Sequence, residues 1–376
     1  PDSCKESFSA FDVAAAIARG FQAVWPDADY RLLPVADGGE GTVEAMVDAT
    51  GGRKISVPVT DPLGRQIEAH YGVLGDGHTA VIEMAEASGL LRVAADERDP
   101  RITSSFGTGE LILAALDAGS RHLILGLGGS ATNDGGAGML VALGARLLND
   151  QGQSLSAGGS DLANLSRLDL TGLDPRLAGT RVEVASDVTS PLCGPAGASA
   201  VFGPQKGASP GVVTELDIAL GRFGEVLSTH CGRDLIMAPG AGAAGGMGAA
   251  LLGVLDAELK PGIELVARAV GLAEALHDAD LVVTGEGRLD SQTAQGKTPM
   301  GVASIARQAG VPVIALGGSV AEDAGVLLDQ GIDALFGSVQ RPMALNDALA
   351  DAAGNLERLA HNVAATLAIG KQLSTS

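Results

Sequence analysis

The last hundred residues alternate short apolar runs with helical stretches of about ten to fifteen residues, and this alternation restricts the fold more than any other feature. The run ADLVVT (279–284) follows a charged turn and ends in Gly285, Glu286 and Gly287. A polar loop, a helical stretch over 299–309 and the β-branched run VPVIAL (311–316) come next, closed by Gly317 and Gly318. A further helix signal (AEDAGVLLDQG), a strand at 332–339 and a helical tail to about residue 367 complete the segment. Strands and helices in this order build a parallel α/β sheet. Ligands of such sheets sit beyond the carboxyl ends of the strands, where the loops GEGRLDSQTAQGKTP and GGS are expected.

The N-terminal stretch reads as part of the same domain. Residues 9–24 place Phe11, Ala14, Ala15, Ile17, Ala18 and Phe21 at helical spacing, with Ser9 as the N-cap. A strand is expected at 30–35, then the loop ADGGEG and a helix over 42–49. Between about 60 and 275 the texture changes. Strands at 79–84 and 122–127 are mixed with glycine-rich loops, and 158–180 looks irregular. The expectation is therefore a discontinuous first domain, 1–60 plus 276–376, with a second α/β domain, 61–275, inserted into it.

Glycine is about twice as frequent as usual, 54 of 376 residues, and much of it lies in a few short loops. Chains of this kind bind ligands with backbone amides. The formal net charge of −20 argues against nucleic acid and anionic membrane as partners. Cys4, Cys193 and Cys231 form no disulfide or CxxC framework, and the six histidines show no zinc spacing. No apolar run is long enough to span a bilayer. The segment PDSCKESFSA lacks the marks of a signal peptide, so a cytoplasmic protein is expected.

The loop GLGGSATNDGGAG (126–138) follows the strand HLILGL and precedes a helical stretch. Consecutive glycines let amides converge on an anion, so Gly128, Gly129, Ser130, Thr132, Asn133, Gly135 and Gly136 are candidate phosphate contacts. The same loop matches the GxGxxA dinucleotide pattern, with Asp150 some twenty residues on. That fingerprint puts its last small residue inside the first turn of a helix, whereas seven loop residues intervene here. Phosphate binding is the better reading.

In TGEGRLDSQTAQGKTP (284–299), Gly296, Lys297 and Thr298 resemble the end of a Walker A loop, but Ser291 occupies the position of its first glycine. Pro299 suits the first position of a helix, which seats Lys297 and Thr298 at its N-terminus, ready for phosphate or carboxylate. Glu286, Arg288 and Asp290 alternate on the same strand exit, as a site or as a surface salt-bridge cluster. The segment PGAGAAGGMG (239–248) serves either close helix packing or a phosphate. Asp187 ends a strand and is followed by VTSP rather than a helix, so capping does not account for it. Lys5, close to a helix N-terminus, has the wrong sign for a cap, and an anionic ligand there would explain it.

Read in order, DSCKESFSA, PVADGGEGTVEA, TDPLGR, IEMAEASGL, GTGEL, LGLGGSATNDGGAGML, ASDVTSPLCG, VFGPQKGA, PGAGAAGGMGAALL and VVTGEGRLDSQTAQGKTP closely resemble the bacterial type I glycerate kinases. The likeness covers nearly the whole chain, although the family usually carries Phe where this chain has Cys4. It implies an ATP-dependent kinase of D-glycerate that needs Mg²⁺ and makes 2-phosphoglycerate. It also implies a Rossmann-like parallel-sheet domain carrying an inserted α/β domain, with the active site in the cleft between them, in a monomer or homodimer. On that basis the amides and hydroxyls of 128–136 take nucleotide phosphates, and Lys5, Arg288 and Lys297 serve the phosphoryl group and the glycerate carboxylate. Ser3, Glu286 and Thr298 join the substrate site. Asp187 is the expected base, with Asp37, Asp134 and Asp290 as alternatives, and Asp187 and Asp290 are the expected Mg²⁺ contacts. The competing readings are a nicotinamide-dependent oxidoreductase and a non-enzymatic two-domain anion-binding protein.

Overall fold

The structure, a computed structural model, describes residues 1–2, 8–339, 341 and 344–374. The chain divides into two compact units, a larger one of residues 38–43 and 52–262 and a smaller one of 1–37, 44–51 and 263–376.

The larger unit contains β1 (Arg53–Thr60), β2 (Gln66–Val73), β3 (Thr79–Glu83), β4 (His122–Gly126), β5 (Arg146–Leu148), β6 (Arg167–Asp169), β7 (Arg181–Ala185) and β8 (Glu258–Lys260). Six of these form one sheet in the order β1-β2-β3-β4-β7-β8, while β5 and β6 pair separately. Pairing is antiparallel from β1 to β3 and parallel from β3 to β8. The run HLILG forms β4 because a central parallel strand is covered on both faces and needs a continuous apolar stretch; its last four residues are buried.

The turn TDPLGR joins β1 to β2. Asp61 there accepts the amides of Leu63 and Arg65 and the Arg65 guanidinium, at 2.8, 2.8 and 2.7 Å. This hairpin carries 53–60 into the larger unit, so the boundary expected after residue 60 falls after residue 51. At the far end it falls after 262 rather than 275. The 22-residue helix Pro210–Cys231 opens on a Ser209 cap with Pro210 in its first turn and ends on left-handed Gly232. Its Leu220, Phe223 and Leu227 join Ile82, Leu111, Leu123, Leu125, Val184 and Met247 in one core.

The smaller unit holds a parallel sheet in the order β11-β10-β9, formed by β9 (Val282–Leu289), β10 (Val313–Val320) and β11 (Ala334–Gly337). Helix Ala10–Gln22 begins where expected, with the Ser9 hydroxyl accepting the Asp12 amide at 3.2 Å. Its Val13, Ile17 and Phe21 pack with Ile314 and Leu316 of β10 and with Leu359 and Val363 of helix Ala352–Ser374.

Three local expectations change. No strand forms at 30–35, where Pro34 removes a ladder donor and Val35 donates to the Pro1 carbonyl at 3.1 Å. β9 does not stop at Thr284 but runs through Glu286 and Arg288, because β10 continues beside it and pairs with both positions. Residues Glu322–Gln330 wind as a 3₁₀ rather than an α-helix. The expected class holds: the fold is α/β with mainly parallel sheets.

Candidate active site

In the larger unit, Glu83, Gly126 and Ala185 are the register-matched last residues of β3, β4 and β7. The loop 38–43 lies directly on these strand ends. A Cβ at Gly126 would sit 2.5 Å from the Gly38 carbonyl oxygen, so only glycine allows this approach. Within this loop Glu83 accepts the Val43 amide at 2.8 Å. Burial pushes the Glu83 carboxyl up to about 7, against the pull of the Val43 and Gly41 amides.

The glycine-rich loop after β4 is exposed only at its apex, Gly128 and Gly129. Beyond the apex it turns inward. Ser130 is nearly covered, and Thr132, Asn133 and Asp134 are fully buried. Asn133 donates to Ser199 Oγ at 2.9 Å. One Asp134 oxygen accepts the Ser105 amide and hydroxyl, both at 2.8 Å, and the Gly138 amide at 3.2 Å; the other accepts the Gly136 amide at 3.1 Å. Asp134 therefore holds the loop together from inside, which removes it as an alternative base or Mg²⁺ contact.

Gly135 and Gly136 are committed to packing. Gly135 has φ +66°, and a Cβ on it would press into the Phe223 ring at 2.6 Å. The segment 240–250 is buried throughout and closes over this loop, with the Gly135 amide donating to the Gly245 carbonyl at 3.0 Å. Close packing is thus its role.

Lys206, which sequence reasoning passed over inside VFGPQKGA, lies beneath the same loop. It is 1% exposed and donates to Ser130 Oγ at 2.8 Å and to the Thr132 carbonyl at 2.6 Å. Burial lowers its ammonium to about 7, opposed by the charge of Asp134. Glu83 was passed over too. Its signal was legible as a charge closing the apolar run TAVIE, whereas Lys206 carries no local sign of burial. Asp187 stands exposed two residues beyond the end of β7.

The smaller unit gathers a second set of charges. Asp2 receives the Thr298 hydroxyl at 2.7 Å and donates its amide to the Gly285 carbonyl at 2.9 Å. Thr298 is fully buried, so its hydroxyl serves Asp2. Glu286 accepts the Thr293 hydroxyl at 2.6 Å and stands 4.0 Å from Lys297 Nζ. Burial raises the Glu286 carboxyl, with the Thr293 bond and the Lys297 charge opposing. Lys297 occupies the N-cap of helix Thr298–Gln308 and makes no cap hydrogen bond. Asp290 pairs with Arg288 through one oxygen at 3.2 Å and receives the amides of Gln292 and Thr293 on the other. Ser3 and Lys5, also assigned to the site from sequence, lie outside the described residues. Among the described residues, no group of three or more His, Cys, Asp or Glu side chains is placed to hold a metal ion, and no helix is long and apolar enough to cross a membrane.

An amide-rich loop and an exposed carboxylate at parallel strand ends in the larger unit, and Lys297 at a helix start in the smaller one, belong to an α/β protein, a class in which such positions receive small anionic ligands. The dinucleotide alternative fails on geometry, because the helix after GxGxxA opens only at Ala137.

Comparison with known proteins is more specific. The chain belongs to the glycerate kinase family, whose model matches residues 1–368. It is 53% identical over 373 residues to the glycerate kinase of Bacillus subtilis (strain 168), covering 99% of this chain and 98% of that one. It is 54% identical over 370 residues to the glycerate 2-kinase of Escherichia coli (strain K12), covering 98% and 97%. A crystal structure assigned as glycerate kinase 2 from Salmonella typhimurium LT2 superposes with a TM-score of 0.91 at 55% identity, covering 99% of this chain and 98% of that one. The protein is therefore an enzyme of the glycerate kinase type.

Proposed function

We propose that the protein transfers the γ-phosphoryl group of ATP to the 2-hydroxyl of D-glycerate, releasing ADP and 2-phosphoglycerate, in the cytoplasm where ATP is available. The observation that carries this reading is the full-length 54% identity to a relative named glycerate 2-kinase. The exposed amides of Gly128 and Gly129 receive nucleotide phosphates. Lys297 and Arg288 attract the glycerate carboxylate and the transferring phosphoryl group; a guanidinium suits a planar carboxylate well. Asp187 accepts the proton of the attacking hydroxyl.

An Mg²⁺ ion, when bound with the nucleotide, neutralises phosphate charge. Such an ion keeps several waters and needs only one or two protein carboxylates. Asp187 is the carboxylate assigned to it if a different group takes the proton. Asp290 already uses both oxygens within its turn.

The test is incubation with ATP, Mg²⁺ and D-glycerate, with the product identified by ³¹P and ¹H NMR. ADP together with 2-phosphoglycerate is expected. Formation of 3-phosphoglycerate, or no turnover with glycerate, overturns the assignment.

A further inference from the structure

The glycine-rich loop holds an unusual occupant. A lysine ammonium is expensive to remove from water, and an isolated one is rarely kept inside a fold. Lys206 is nevertheless buried, at the end of a 3₁₀ turn (Pro204–Lys206) that closes on left-handed Gly207. Its Nζ joins Ser130 Oγ to the Thr132 carbonyl, gripping the loop on both sides of Ala131 and immediately behind the exposed apex. Asp134 braces the following stretch, 134–138, so the loop is hydrogen-bonded from the inside at two consecutive points. Thr132 Oγ1 and Asn133 Oδ1 are buried in the same stretch without a hydrogen-bond partner among the described residues. Of the loop's own polar side chains at that point, the Asn133 amide makes one tie, donating to Ser199 Oγ at 2.9 Å.

We infer that Lys206 is a positioning residue: by tying Ser130 to Thr132 it holds the amides of Gly128 and Gly129 in the arrangement that receives nucleotide phosphates, without touching the nucleotide itself. This rests on the assignment of the loop to nucleotide.

Lys206→Met keeps the stem and removes the charge and both hydrogen bonds. Replacing a buried charge by an apolar side chain of similar shape often leaves a fold intact. The expected result is a cooperative melting curve, a KM for MgATP raised at least about tenfold, and a KM for D-glycerate changed by less than about threefold. Gly129→Val, at the exposed apex, is the companion that tests the loop itself and should also raise the KM for MgATP.

If Gly129→Val raises that KM and Lys206→Met does not, the inference about Lys206 is wrong and the loop assignment stands. If neither variant raises it, the loop is not the nucleotide site and both fail. Equal losses for the two substrates in Lys206→Met would mean a general structural role and also overturn the inference. Should Lys206→Met not fold, Ser130→Ala decides. It removes one of the two ties and leaves the buried charge, and an unchanged KM for MgATP in it overturns the proposal.

Discussion

Asp187 and Glu83 show how differently a carboxylate behaves at two strand ends of one sheet. Asp187 is exposed beyond β7 and is the proposed proton acceptor; Asp187→Asn keeps its size but cannot take a proton. Its kcat should fall at least about a hundredfold while ATP affinity, read by titration, changes little. Joint loss of ATP and Mg²⁺ binding would instead make Asp187 a metal contact. Glu83 is 7% exposed and its carboxyl is raised to about 7. The folded state thus binds this proton more tightly than the unfolded chain. Stability contributed by the neutral form is present at acid pH and is lost as pH rises from the ordinary glutamate range through about 7, by at most about 3 kcal/mol. Glu83→Gln stays neutral and should be more stable than the parent at pH 8 by about 1–3 kcal/mol, with little difference near pH 4.5. Urea melts at the two pH values measure this, and parallel pH profiles for the two proteins would exclude Glu83 as the group.

At the scale of elements, the start of helix Thr298–Gln308 has the clearest conflict between stability and use. A lysine at an N-cap faces the positive end of the helix dipole, and Lys297 makes no cap hydrogen bond. Lys297→Ala should therefore leave the melting temperature unchanged or slightly higher, while kcat/KM for glycerate falls by the equivalent of about 2–4 kcal/mol. Unaltered kinetics would remove Lys297 from the site. The strand before this helix shows where periodicity misleads. GEGR looks like a loop from composition, but β10 runs long enough beside it to draw Glu286 and Arg288 into the ladder. At 30–35 the error is opposite. Apolar residues suggest a strand, yet Pro34 lacks the amide a ladder needs and the segment stays irregular, its Val35 amide bonded to the Pro1 carbonyl.

For the whole molecule, a net charge of −20 is a self-repulsion that dissolved salt screens. The melting temperature should rise between about 20 and 200 mM NaCl; a flat or falling response would show that the surface ion pairs outweigh the repulsion. The sequence by itself determined the α/β class, the capped helix at Ser9, the strand HLILGL before the glycine-rich loop and membership of the glycerate kinase family. These follow from local periodicity, capping chemistry and long ordered motifs, all of which are written along the chain. It also marked the glycine-rich loop after β4. Only the tertiary structure decided what each loop residue does. Gly128 and Gly129 face outward, Gly135 meets Phe223, Asp134 braces the interior and Lys206 grips from beneath. Lys206 and Phe223 lie more than 70 positions from the loop residues they meet, and burial of a polar group is a property of what packs around it rather than of its neighbours in the chain.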